Sequence, residues 1–91
     1  MLIIKNYSGN TPIHALAGNG VKEILTLSKE LLMIKNNCGW TPVHWLAYEG
    51  VKEVLSLDKE LLMTQNKRGC TTIHYLAREG VEIPDEYKQY I

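Results

Sequence analysis

The sequence predicts an all-α fold, a helical solenoid of three stacked helix–turn–helix repeats with short hairpin-like loops. The first observation is a period of 30 residues without insertions, because residues 1–30 and 31–60 are identical at 18 of 30 positions. The second is a tetrapeptide of the form Thr-Pro-x-His that recurs at this period, with Thr72 in place of the third proline. A constant period without linkers is typical of stacked identical units.

The first helix of the middle unit is predicted to begin at Thr41, a good N-cap residue, with Pro42 at the first helical position. His44 stands where a capping box carries Glu or Gln, so its imidazole is expected to bond to the helix start. Apolar residues follow at i, i+3 and i+4, and Gly50 ends the helix as a C′ glycine. Structural capping is therefore expected at the same positions of all three units: Thr11, His14, Thr41, His44, Thr71 and His74.

The segment after Gly50 predicts a second short helix, since Val51–Leu57 is again apolar at i, i+3 and i+4. Asp58 is a cap-type residue that ends this helix or starts a further short turn through residues 59–62. An extended arm and a polar turn then lead to the next unit. One domain is thus predicted over residues 1–91, with repeat 1 at about 6–35, repeat 2 at about 36–65, and repeat 3 with a C-terminal cap at about 66–91.

With Gly-x-Thr-Pro-x-His, then Ala, then Gly, the chain resembles an ankyrin repeat protein over about residues 5–81. Its period of 30 is shorter than the family's usual period of about 33. The missing residues fall after the second helix, where the usual Gly-Ala-Asp segment has no counterpart. The resemblance implies a stack whose loop tips and first helices form a concave surface, and in ankyrin repeat proteins that surface commonly binds partners.

The two ends of the predicted stack differ. No helix pair precedes Thr11, so apolar residues of the first unit are expected to be partly exposed there, namely Leu2, Ile4, Val21 and Ile24. Either Met1 to Lys5 folds back as a small cap, or this end docks another chain or a second copy. At the other end, Pro84 opens a short amphipathic helix that is predicted to cap the stack with Tyr87, Tyr90 and Ile91.

The positions that differ between units predict the binding residues, because positions needed for the fold stay constant. The variable positions contain aromatic and arginine side chains, which are the residue types that contribute most to binding energy in protein interfaces. Alternatives stay open: Trp40 may only cover a turn, Trp45 and Tyr75 may pack on the adjacent unit, and the arginines may be solvated surface charge. The candidate partner-binding residues are Tyr7, Trp40, Trp45, Tyr48, Arg68, Tyr75 and Arg78.

Catalytic and metal chemistry is not expected. Equivalent histidines of neighbouring units lie roughly 8–10 Å apart, too far to share one metal ion. Cys38 and Cys70 occupy unmatched positions and are predicted to be free thiols, which favours a reducing cytoplasm. No cofactor motif occurs. Ten basic residues balance ten acidic ones, which disfavours a nucleic-acid or membrane-surface partner.

The sequence therefore predicts a non-enzymatic protein–protein interaction module that binds another protein through its concave face. One alternative is a structural fragment of a longer repeat array, or a scaffold that self-associates through the N-terminal end without a partner of its own. Another is a single-stranded nucleic-acid binder that uses the aromatic residues for stacking, which the zero net charge disfavours.

Overall fold

A computed structural model describes Lys5 and residues 7–89, and this part of the chain is all-helical with no β-strand. The predicted all-α class is confirmed. No helix in the described part is long and apolar enough to cross a membrane. The elements in order are α1 (Pro12–Gly18), a first 3₁₀ helix (Lys22–Thr26), α2 (Lys29–Leu32), α3 (Pro42–Tyr48), a second 3₁₀ helix (Lys52–Ser56), α4 (Lys59–Met63), α5 (Thr72–Arg78) and α6 (Asp85–Lys88).

Helices α1, α3 and α5 begin with the same capping box. In α3, the backbone N–H of His44 donates to Thr41 Oγ1 at 3.2 Å, and the N–H of Thr41 donates to His44 Nδ1 at 2.9 Å. The threonine–histidine pairs of α1 and α5 make the same reciprocal bonds. A helix of only seven residues is marginally stable by itself. The capping bonds stabilise it, because they satisfy backbone N–H groups at the helix start that would otherwise be buried without partners.

The same three helices also end alike. Gly50 follows α3 with φ +78°, a conformation that favours glycine. Its N–H donates to the carbonyl of Ala47 at 2.9 Å, and the N–H of Val51 donates to the carbonyl of Leu46 at 3.0 Å. This is the pair of bonds of a Schellman motif, and it turns the chain away from the helix axis. Equivalent bonds close α1 and α5.

The predicted second helix is shorter and of a different type. Residues Lys52–Ser56 form a 3₁₀ helix, in which the N–H of Leu57 donates to the carbonyl of Val54 at 3.0 Å. Leu57 is itself extended, so this helix ends at Ser56 after five residues. The apolar spacing is nevertheless used, because Val54 is buried. The further turn expected after Asp58 is the short helix α4.

The core lies along one side of α1, α3 and α5, which pack side by side with α3 in the middle. Helix α4 also packs against α5. The side chains that are completely buried come from every part of this row and include Ile13, Ala17, Val43, Leu46, Ala47, Val54, Leu62, Ile73 and Leu76. The core therefore runs along the row of helices as one continuous cluster.

The prediction of partial exposure at the N-terminal end is wrong for Ile24, which is 4% exposed, and agrees with the structure for Val21, which is half-buried. Leu16 in α1 is 39% exposed, whereas Leu46 in the middle helix is completely buried. The reason is position, since α3 packs between α1 and α5, whereas α1 stands at one end of this row. Leu2 and Ile4 lie outside the described residues, as do Met1 and Ile3 of the expected N-terminal cap.

At the C-terminal end, Pro84 precedes the short helix α6 and serves as its N-cap residue. Asp85 and Glu86 occupy the first turn, where negative charge is favourable. Tyr87 is buried, as a capping role requires. The other two residues expected in this cap, Tyr90 and Ile91, lie outside the described residues.

Candidate functional site

The loops before α3 and α5 are turns held by an asparagine side chain, Asn36 in the first and Asn66 in the second. Asn66 Oδ1 accepts hydrogen bonds from the backbone N–H groups of Arg68 and Cys70, at 2.9 and 3.1 Å. Successive turns also bond to each other, because the N–H of Lys67 donates to the carbonyl of Cys38 at 3.0 Å. A Cβ atom on Gly39 would lie 2.9 Å from the nitrogen of Lys67, so glycine permits this close approach.

A cleft of about 570 Å³ lies between α3, α5 and their two turns, and we call it the aromatic cleft. Six of the seven predicted partner-binding residues line it, so the structure brings these together. The full lining is Cys38, Trp40, Trp45, Tyr48, Lys67, Arg68, Cys70, Tyr75 and Arg78.

Trp40 lies at the centre of the aromatic cleft. Its ring centroid is 4.6 Å from that of Tyr75 and 4.9 Å from that of Trp45. Tyr48 meets Trp40 edge to face at 5.8 Å and is the most exposed of the four, at 40%. Aromatic pairs at these separations stabilise each other by about 0.5–1.5 kcal/mol. The rings therefore hold one another in fixed positions.

Tyr75 forms the floor of the aromatic cleft rather than a protruding contact. It is only 5% exposed, and its hydroxyl accepts a hydrogen bond of 2.7 Å from the side-chain amide of Asn66. Burial raises the pKa of the Tyr75 hydroxyl, so it stays protonated at neutral pH. Tyr75 is therefore packed among its neighbours, as the alternative to partner binding expects. Trp40 and Trp45 are only half-buried.

The charged part of the lining is entirely basic. Lys67, Arg68 and Arg78 are exposed and line the cleft, and no carboxylate of a described residue is part of its lining. None of the three forms a salt bridge with a described residue. The described charges of the lining are therefore all positive, although the whole chain has a formal net charge of zero.

A second cavity of about 410 Å³ adjoins the aromatic cleft on the other side of Trp45, and we call it the socket. It exists because Ala15 and Gly18 in α1 stand at the positions that carry Trp45 and Tyr48 in α3. The small residues leave space beside the indole ring. The lining of the socket is Lys5, Asn10, Thr11, Pro12, His14, Ala15, Gly18 and Trp45.

Tyr7 is the predicted binding residue that the structure does not bring to either cavity. Its side chain is fully exposed, and its backbone carbonyl accepts a hydrogen bond from the Asn37 side chain at 2.8 Å. Tyr7 therefore stands on the first turn as a separate aromatic residue.

His14 and His44 have a second role that was not predicted, because their Nε2 atoms bond to backbone carbonyls outside the helices that they cap. His14 Nε2 lies 2.9 Å from the carbonyl of Trp40, and His44 Nε2 lies 2.8 Å from that of Thr64. A carbonyl only accepts, so Nε2 carries the proton while Nδ1 accepts from the capping threonine. Burial lowers the pKa of both rings, which are neutral near pH 7.

The turn asparagines were also missed by the sequence reasoning. Asn66 is buried, and it fixes both its own turn and the floor of the aromatic cleft. A signal was present, because Asn6, Asn36 and Asn66 share one position of the 30-residue period. A polar residue that stays constant where its neighbours vary indicates a structural bond.

Within the described residues, no group of three or more histidine, cysteine or acidic side chains is arranged to hold a metal ion. Cys38 is an exposed free thiol and Cys70 a half-buried one. The arrangement offers a rigid aromatic surface, a basic rim and an adjoining apolar cavity.

No known family model matches the chain, and no curated protein matches it either.

Proposed function

We propose that the chain is a non-enzymatic protein–protein interaction module, an ankyrin-type stack of three repeats that binds another protein at the aromatic cleft. The repeated capping box, the Schellman ends and the side-by-side row of α1, α3 and α5 support this arrangement. The bonds between successive turns support a regular stack as well.

The observation that carries the proposal is the clustering of unlike residues in one place. Trp40, Trp45, Tyr48, Arg68 and Arg78 come from different units, yet all line the same cleft. Tryptophan, tyrosine and arginine contribute most to binding energy in protein interfaces. Because the rings already pack on one another, a partner loses little free energy in ordering them.

Site-specific photocross-linking tests this proposal. A photoreactive phenylalanine analogue replaces Tyr48 in one variant and Tyr7 in a matched control, and each protein is irradiated in an extract of its source cells. Adducts with a defined polypeptide are expected at position 48 and not at position 7. The addition of Arg78→Gln to the position-48 variant is expected to reduce their yield. Equal adducts at both positions would contradict the proposed site.

A self-associating scaffold is a second candidate, and Leu16 is the observation that favours it. This side chain is 39% exposed in α1, next to the open side of the row. Sedimentation velocity over a concentration series distinguishes the candidates. Concentration-dependent dimers that disappear in Leu16→Ser support the scaffold, and a monomer at every concentration excludes it.

A cytoplasmic location is part of the same proposal. Both cysteines are free in the structure, and exposed free thiols persist best in a reducing compartment.

A further inference from the structure

We infer that the aromatic cleft and the socket together recognise an acidic linear peptide, with one apolar side chain in the socket and carboxylates at Arg68 and Arg78. This inference rests on the proposed function, because it names the partner chemistry of the same surface. Two independent features carry it: the unpaired basic rim and the shape of the socket.

The basic rim supplies the charge complementarity. Some lysines on other surfaces pair with acids of the chain, as Lys22 does with Glu53 at 3.5 Å and Lys88 with Asp85 at 3.1 Å. The three cations that line the aromatic cleft have no such internal partner among the described residues. Carboxylates of a ligand are the groups that arginine binds with two parallel hydrogen bonds.

The socket supplies the apolar contact. A methyl-sized group attached at Gly18 would lie 3.7 Å from Trp45 Cε3, which is an ordinary van der Waals distance. An apolar side chain that enters the socket therefore contacts the indole ring without displacing it. Ala15 and Gly18 present no charge that would oppose this contact, and the one charged residue of the lining is Lys5.

The separation of the two sites predicts a spacing in the ligand. They adjoin at Trp45, and the first helices that flank them are neighbours at roughly 8–10 Å. An extended peptide rises about 3.3 Å per residue, so it covers this distance in about three residues. The expected ligand thus carries an apolar residue about three positions from a pair of acidic residues.

The ring geometry favours a peptide over single-stranded nucleic acid. Base stacking requires open aromatic faces. Tyr75 is buried, and Trp40 has two other rings within 5 Å of its own centroid. The faces of these rings already contact other rings. They therefore present their edges and an apolar surface, and no open face on which a base could stack.

Selection from a phage library of random dodecapeptides tests the inference with the full chain as bait. Enriched sequences are expected to contain an apolar residue about three positions from two acidic residues. The best peptide is then labelled, and its affinity is measured by fluorescence anisotropy.

Three variants locate the binding. Arg68→Gln with Arg78→Gln is expected to weaken the affinity about tenfold and to reduce its dependence on salt. Ala15→Trp, which introduces the residue that α3 carries at this position, is expected to fill the socket and weaken the affinity by a similar factor. Lys52→Gln with Lys59→Gln removes two cations that do not line the cleft, and the affinity is expected to stay unchanged.

The possible failures are distinguishable. Selection of neutral or basic peptides overturns the inference, and so does an affinity that is unchanged in the double arginine variant. In both cases the cross-link at position 48 can still support the proposed function. Enrichment of no peptide overturns the inference in the same way. Tight binding of labelled oligothymidine at 150 mM salt, abolished by the double arginine variant, overturns both in favour of nucleic acid.

Discussion

Helices α1 and α3 have the same backbone frame but different surfaces. Both are seven residues long, begin with a threonine–histidine capping box and end with a Schellman motif. Yet α3 carries Trp45 and Tyr48 where α1 carries Ala15 and Gly18, and this difference separates the aromatic cleft from the socket. The constant positions thus determine the helices, and the variable positions determine what the surface can bind.

The two helices are expected to differ most in how much their leucines contribute to the free energy of unfolding. Leu46→Ala is expected to lower the free energy of unfolding by about 2–5 kcal/mol, because the side chain is completely buried between two helices. Leu16→Ala is its matched control, with an expected loss of about 1 kcal/mol because the side chain is 39% exposed. Urea denaturation measures both. Equal losses would show that α1 is as enclosed as α3.

The second difference concerns the histidines. His44→Ala is expected to cost about 2 kcal/mol, since it removes both the helix cap and the bond to the carbonyl of Thr64. His74→Ala removes a capping box alone and is expected to cost about 1 kcal/mol. Thermal unfolding of the two variants provides the measurement. An equal decrease in Tm would mean that the bond to the Thr64 carbonyl adds nothing.

The buried histidines also predict how stability depends on pH. Burial lowers the pKa of His14 and His44 below the ordinary value of 6.5, so the unfolded chain binds protons more readily than the folded one. This contribution to stability is complete above pH 6.5 and decreases as the pH falls from 6.5 towards the lowered pKa values. Denaturant midpoints between pH 8 and pH 5 measure it. The double variant His14→Gln with His44→Gln should have a flatter profile over that range.

The smallest expected effect is a gain at the start of α5. Thr72 is completely buried, and its hydroxyl has no hydrogen-bond partner among the described residues. The other two units carry proline at this first helical position. Thr72→Pro is therefore expected to raise the free energy of unfolding by about 0.4–1 kcal/mol. A decrease in the urea midpoint would mean that α5 does not share the backbone geometry of the other helix starts.

The positions of the first helices could be predicted from the sequence because the residues that determine them act locally. Threonine, histidine and glycine positions predict where α1, α3 and α5 begin and end, since caps act within a few residues. The spacing of Val51–Leu57 fitted an α-helix and a 3₁₀ helix equally well, and only the short path to the next helix decides between them. The neighbours of Leu16 and Ile24 depend on how all the helices pack, so their exposure could not be predicted from one unit.

The site was predictable in part for a similar reason. Variation between units identified the residues of the aromatic cleft, because positions that are not required to form the helices are free to differ. The bond between Asn66 and Tyr75 joins residues nine apart that meet only after the turn has formed. The socket could not be predicted from a residue, because it is the absence of a side chain at Gly18 that creates it.

The most direct test of the account is amide chemical-shift mapping of the full chain with the selected acidic peptide. The account predicts shifts at Ala15, Gly18, Arg68 and Arg78, and at the indole N–H of Trp45, with little change over Lys22–Thr26 and Lys52–Ser56. Shifts confined to the two 3₁₀ helices, or spread without preference over the whole chain, would contradict it.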